Sequence, residues 1–254
     1  MKIPHPYITR REVIIEIDDR DEPILKAGTR YFDHYLDDQR DVAIDLGAHV
    51  GCTALYFAAE LGFKKVLAVE AYWENFRVLV NNIYANGLQD IVIPMWAAAA
   101  NVTGEFRPIY WSRSMSNHGQ YSTFFNPTIH IPSNFTQTIS IVHLLTLYRS
   151  VDLLKVDIEG GEYEIFNPAI TGLWDALKRV NFLDLETHCP EDSFFKRDCF
   201  AAHGYPDTRT ANDQLKRFLS LAGFDLKFRG ANEGGMQGFN GGYNPIWRKD
   251  AAAA

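Results

Sequence analysis

Cysteine is scarce in this chain: there are three in 254 residues, at positions 52, 189 and 199. The odd count and the lack of a Cys-x-x-Cys pair fit neither a zinc site nor a disulfide framework. They predict reduced thiols in a reducing compartment. A surplus of base is also missing, since 25 Lys and Arg face 32 Asp and Glu, for a net charge of −7. A broad nucleic-acid footprint needs the opposite balance to replace phosphate counterions, so no nucleic-acid partner is expected. No apolar run reaches the roughly 18 residues of a membrane span, and no apolar signal core follows Met1, so the chain is read as cytoplasmic. Internal repeats are absent. What remains, 46% hydrophobic and 22% charged residues, is the composition of a globular chain with a sizeable core.

The pattern along the chain divides it. Residues 1–41 are mixed and charged, with a short strand expected at 13–17 and a helix at 28–36, and they read as an N-terminal extension that packs on a core domain of residues 42–250. From residue 42 the pattern becomes regular. Buried-strand runs at 42–46, 65–70 and 91–95 alternate with helices expected at 50–61 and 74–85. Such alternation implies parallel strands joined by right-handed crossovers. Residues 101–140 interrupt the rhythm, and strands then resume at 151–158 and 180–185. A helix at 212–221 and strands at 224–228 and 243–248 follow. The expected fold class is α/β, a doubly wound, mostly parallel sheet.

Ligands of such sheets lie beyond the carboxyl ends of the strands. The first loop there reads DLGAHVG, with Asp45 two residues before Gly47 and Gly51 four residues after it. This is not the Gly-x-Gly-x-x-Gly of a dinucleotide loop. That loop offers amides to a pyrophosphate, and a carboxylate beside it would repel the anion. S-adenosylmethionine carries an ammonium and a sulfonium and no phosphate, so an acid here suits it. Gly47 permits a tight turn and close backbone approach, with Ala48 and His49 in the same loop. Glu70 ends the second strand, where an acid about 20 residues past the turn accepts ribose hydroxyls in nucleotide folds. Ala71, Trp96 and Ala97 would flank the adenine.

Two acidic stretches follow the fourth and fifth strands, KVDIEGGE at 155–162 and LDLETH at 183–188. Strand alternation sends Asp184, Glu186 and His188 to one side. Asp157 and Glu186 should meet where the donor's methyl group points. Methyl transfer to an alcohol needs in-line placement and loss of a proton. Asp157, Glu186 and His188 are the candidate catalytic residues, with Glu186 or His188 as general base. Alternatively Asp157 and Glu186 hold a divalent ion, Mg²⁺ or Mn²⁺, that lowers the hydroxyl's pKa. Simpler roles compete: Glu159 and Glu162 as caps of the next helix, Lys155 as a buried ion-pair partner, and His188 as a structural histidine.

These motifs together resemble the FkbM family of methyltransferases. The matching stretches are AIDLGAHVG at 43–51, VEA at 69–71, LKVDIEGGE at 154–162 and LETH at 185–188. The resemblance covers roughly residues 40–230 and implies a seven-stranded, Rossmann-like methyltransferase sheet with an antiparallel last strand. It also implies S-adenosylmethionine as donor and hydroxyls of sugars or polyketides as acceptors. This chain has His49 where the family commonly has Asn, and His143-Leu144-Leu145 where many members carry Thr-Leu-Asp.

Residues 108–135 interleave Tyr110, Trp111, Tyr121, Phe124 and Phe125 with Ser112, Ser114, Ser116, Asn117, His118 and Ser122. Aromatic faces beside hydroxyls and amides suit a sugar acceptor, while an ordinary surface hairpin is the alternative. The cluster at 234–247 is either another rim of the pocket or a turn-rich hairpin. The functional expectation is O-methylation of a sugar or glycan hydroxyl, with a polyketide or other small-molecule hydroxyl as the nearest rival. A nicotinamide-dependent oxidoreductase and a non-catalytic adenosyl-fold partner are the readings from other classes.

Overall fold

The computed structural model describes residues 1–22, 40–112, 121–123, 130–188, 208–228, 242–243 and 245–249. The helix expected at 28–36, Cys189, Cys199, most of the polar stretch at 113–129 and residues 229–241 lie outside the described residues.

The described chain runs β1 (Lys2–Pro4), β2 (Ile14–Glu16), β3 (Val42–Leu46), α1 (Cys52–Tyr56), β4 (Lys65–Glu70), α2 (Trp73–Ala85) and β5 (Val92–Trp96). It continues with β6 (Ala98–Ala100), β7 (Phe106–Ser112), β8 (His130–Ser140), α3 (Ile141–Thr146), β9 (Val151–Val156), α4 (Glu162–Ile165), α5 (Leu173–Leu177) and β10 (Val180–Leu185). The last elements are β11 (Thr187–His188), α6 (Thr208–Leu221), β12 (Phe224–Phe228), β13 (Gly242–Tyr243) and β14 (Pro245–Lys249). Helix α1 widens into a π-helical turn over Phe57–Leu61, which Gly62 stops at φ 78°.

The main sheet has the order β12-β14-β10-β9-β3-β4-β5. Strands β10, β9, β3, β4 and β5 are parallel, and β14 is antiparallel to both β10 and β12. Strand alternation divides the core between the two faces. Ile44, Leu46, Leu154, Val156, Leu183 and Leu185 pack on one side with residues of α3, α5 and α6. Ala43, Val66, Ala68, Leu153 and Phe182 pack on the other with α1, α2 and β2.

The N-terminal strands are moored by two asparagines one turn apart, Asn82 on α2 and Asn86 at its C-cap. Asn82 accepts from the Glu16 N–H and donates to the Glu16 and Val50 carbonyls. Asn86 accepts from the Ile14 N–H and donates to the Ile14 carbonyl. Each amide thus mimics a sheet edge and satisfies backbone groups that burial would otherwise leave unpaired.

The stretch at 101–140 is more regular than its sequence suggests. β7 and β8 form an antiparallel hairpin, and β6 pairs with β8 in parallel. The short helical turns α3 and α5 also went unanticipated; their five or six residues are too few to show a helical period.

Candidate active site

The carboxyl ends of β3, β4 and β9 lie side by side in the sheet order, so Asp45, Glu70 and Asp157 converge on one edge. The glycine loop is built directly on this edge. The Gly47 and Ala48 amides both donate to the Val69 carbonyl at 3.0 Å, which bends the chain sharply out of β3. Gly47 has φ 79°, and a Cβ there would fall 1.8 Å from the Asp157 carbonyl oxygen. Only glycine fits, and the loop after β3 presses against the loop after β9. The Asp157 N–H closes the contact by donating to the Leu46 carbonyl at 3.1 Å.

Beneath this contact lies a charged row. Strand register sets Asp45 opposite Lys155 and Lys155 opposite Asp184, two residues toward the ligand end from the apolar row Ala43, Leu153 and Phe182. Lys155 Nζ lies 3.1 Å from Asp45 Oδ1, 3.1 Å from the Gly47 carbonyl and 3.5 Å from Asp157 Oδ2. Burial alone lowers the Lys155 pKa, but the charges of Asp45 and Asp157 outweigh it and hold the ammonium above its ordinary range. Burial raises the Asp45 carboxyl against the opposing pull of Lys155. Asp184 is pushed up to about 7, first by burial and further by the charges of Asp157 and Asp45, with Lys155 acting against them. Asp45 has no exposed surface, so the structure places it under the loop as the partner of Lys155.

Glu70 is buried at the tip of β4. Its Oε2 accepts the His49 N–H at 2.9 Å and its Oε1 accepts the Tyr72 N–H at 2.8 Å. Burial raises its pKa, and the His49 charge and the two amides oppose that. Trp96 is fixed beside it, with Nε1 donating to the Ala71 carbonyl at 3.0 Å. Trp96 lies 4.7 Å from Trp73, ring to ring. His49 sits at φ 51° and Glu159 at φ 54°, so both site loops hold a non-glycine residue in the left-handed region. Gly51, at φ 96°, opens α1.

The loop after β9 is organised from within. The fully buried Glu162 carboxylate accepts the Ile158 N–H at 3.0 Å and the Gly160 N–H at 2.9 Å. Its work is to shape the loop that presents Asp157. On the neighbouring strand the Glu186 N–H donates to the Val156 carbonyl at 2.9 Å, which sets Glu186 beside Asp157 along the edge. The backbone of His188 pairs with Gly242; its side chain lies outside the described residues. Among the described residues, no three His, Cys, Asp or Glu side chains group as metal ligands.

Several contacts at the site carried no sequence signal. Asp21, from the N-terminal segment, is buried with Oδ2 3.5 Å from His49 Nε2. Tyr121, between β7 and β8, stacks on Tyr72 with centroids 3.6 Å apart and planes 10° from parallel. Ser122 donates from Oγ to the Glu159 carbonyl at 2.7 Å. These depend on distant segments meeting, which no local spacing reports.

The Methyltransferase FkbM domain family matches residues 45–226. None of the curated proteins matches the chain in sequence. Among solved structures, the methyltransferase FkbM of Methylobacillus flagellatus KT is 14% identical with a TM-score of 0.49. That comparison covers 85% of this chain but 46% of the other, so this chain spans less than half the length of that relative. A human methyltransferase 10 domain containing protein is 14% identical with a TM-score of 0.50, covering 92% of this chain and 87% of its own. The N-terminal domain of human METTL16 in complex with SAH is also 14% identical, with a TM-score of 0.45 and coverages of 92% and 72%. Identity this low speaks to the fold alone, but the family match spans well over half of the sequence and includes every strand tip described above: the chain belongs to the FkbM methyltransferase family.

Proposed function

We propose that this chain is an O-methyltransferase that uses S-adenosylmethionine to methylate a hydroxyl of a sugar or glycan. The observation that carries the reading is the convergence of Glu70, the Gly47 turn and Asp157 on one edge of the sheet. The residues fit the donor. Glu70 is held by two amides and suits a ribose diol, and an edge rich in carboxylates suits a cation. When bound, the donor supplies a methyl group on a sulfonium, an electrophile that an oxygen attacks from behind the S–CH₃ bond.

The chain's part is placement and proton removal. Asp157 and Glu186 flank the reacting centre on adjacent strand ends. Glu186, or His188 two residues further on, accepts the hydroxyl proton as the C–O bond forms and the C–S bond breaks. The products are a methyl ether and S-adenosylhomocysteine. Lys155 holds the glycine loop and Asp157 in one rigid unit, which in-line geometry requires. The sugar acceptor is supported by the β7 aromatics Tyr110 and Trp111, beside Ser122.

The test is a screen of sugars, glycans and polyketide alcohols read by released S-adenosylhomocysteine. Turnover with a sugar hydroxyl is expected, and turnover confined to non-carbohydrate acceptors would remove the sugar. Glu186→Gln or His188→Ala should abolish turnover while keeping cofactor affinity. Activity in excess chelator separates direct proton transfer from a metal-assisted route through Asp157 and Glu186.

A further inference from the structure

The strands β9, β3 and β4 are consecutive in the sheet. A segment that touches the loops after β9 and β4 therefore passes over the tip of β3, where the Gly47 turn lies. The segment at 121–123 does so. At one end the Ser122 hydroxyl donates to the Glu159 carbonyl, in the loop after β9. At the other, the Tyr121 ring lies flat on Tyr72, two residues past Glu70 at the end of β4. The Tyr72 N–H is bonded to the Glu70 carboxylate, so the stacked pair is tied to the group assigned to the ribose.

The segment is pinned rather than draped. Ser122 is buried and exchanges two backbone hydrogen bonds with Tyr110, of 2.9 and 3.1 Å. Strands stand about 4.8 Å apart, so the tips of β9 and β4 are roughly 10 Å from each other. Two adjacent residues with extended side chains cover that distance.

We propose that Tyr121 is a donor-binding residue, whose stack on Tyr72 forms an aromatic wall for the adenine of S-adenosylmethionine. The segment at 121–123 thereby completes the donor pocket. This rests on the donor reading above and adds to it a residue from outside the glycine loop and the strand tips. An adenine next to a ribose held by Glu70 would meet this pair, because Tyr72 follows Glu70 by two residues and its N–H is bonded to the Glu70 carboxylate. Ser122 fixes the wall in register with the loop that carries Asp157.

Calorimetric titration with S-adenosylhomocysteine, adenosine and homocysteine tests the proposal. Tyr121→Ala should weaken both adenosyl ligands, on the order of tenfold, as loss of an aromatic stack does. Homocysteine binding should stay unchanged. Tyr121→Phe keeps the ring and should bind within about twofold of wild type. Phe106→Ala, on the exposed flank of the same hairpin, should leave all three ligands unaffected. Ligand-free thermal unfolding confirms that each variant folds. Wild-type affinity for S-adenosylhomocysteine in Tyr121→Ala would overturn the proposal, as would loss of affinity in Tyr121→Ala without parallel loss for adenosine. Failure of the wild-type protein itself to bind S-adenosylhomocysteine would instead overturn the donor reading beneath it.

Discussion

Lys155 Nζ stands 3.1 Å from Asp45 Oδ1, and strand register places the two residues directly opposite each other on β9 and β3. The pair is buried, so its worth lies less in net stability than in what each partner spares the other. Lys155→Met strands a carboxylate with no exposed surface and is expected to cost about 3–5 kcal/mol in urea unfolding. Adding Asp45→Asn removes the orphan charge and should recover part of that loss. A double variant as unstable as the sum of the two singles would show that the residues are not coupled.

Asp184 makes stability depend on pH. Burial raises its carboxyl to about 7, well above the value near 4 expected in the unfolded chain. Between those values the folded state holds a proton that the unfolded state has released. Its contribution to stability is therefore present at low pH and is lost as pH rises toward 7. Asp184→Asn should stabilise the protein relative to wild type progressively from about pH 4 to pH 7, with a level difference beyond. Unfolding midpoints across that range decide it. A constant difference from acid to neutral pH would contradict the raised value.

The glycine turn separates close contact from backbone conformation. Gly47→Ala meets both the Asp157 carbonyl and a positive φ, whereas Gly87→Ala meets a positive φ of 63° with no atom within 4 Å. Gly87→Ala should cost about 1 kcal/mol. Gly47→Ala should cost at least about 3 kcal/mol and, by shifting the loop against Asp157, weaken S-adenosylhomocysteine binding. Equal costs by thermal unfolding would deny the contact.

Much of this site was legible in residue order. The glycine turn, Glu70 at a strand end and Asp157 after a buried strand are local features, and parallel strands carry such features to one edge as a matter of topology. Lys155 was legible as an ion-pair partner because a lone base in a buried strand needs one. Glu162 was legible as a cap of the next helix, but its carboxylate instead accepts the Ile158 and Gly160 amides of the loop before α4, which has no side-chain cap. Asp21 was not legible and Tyr121 was legible only as an acceptor-side aromatic, because their contacts with His49 and Tyr72 join segments far apart in sequence. The hairpin β7–β8 was legible only as an alternative at 108–135, for a different reason. Its strands carry Pro108, Pro132 and several polar residues, which mask the period-two pattern of a half-buried strand.

Glu70 accepts two amides yet retains lone pairs on both oxygens. Its proposed role predicts that Glu70→Gln weakens S-adenosylmethionine and S-adenosylhomocysteine alike, by on the order of tenfold or more, with the fold intact. Unchanged affinity by calorimetry would remove Glu70 from the donor site.

The most direct trial is calorimetric titration of the wild-type chain with S-adenosylmethionine, S-adenosylhomocysteine and NAD. Saturable binding of the two adenosyl thio-compounds, without binding of NAD, is the predicted result. Binding of NAD alone, or of none of the three, would contradict a strand-tip pocket made for a cationic methyl donor.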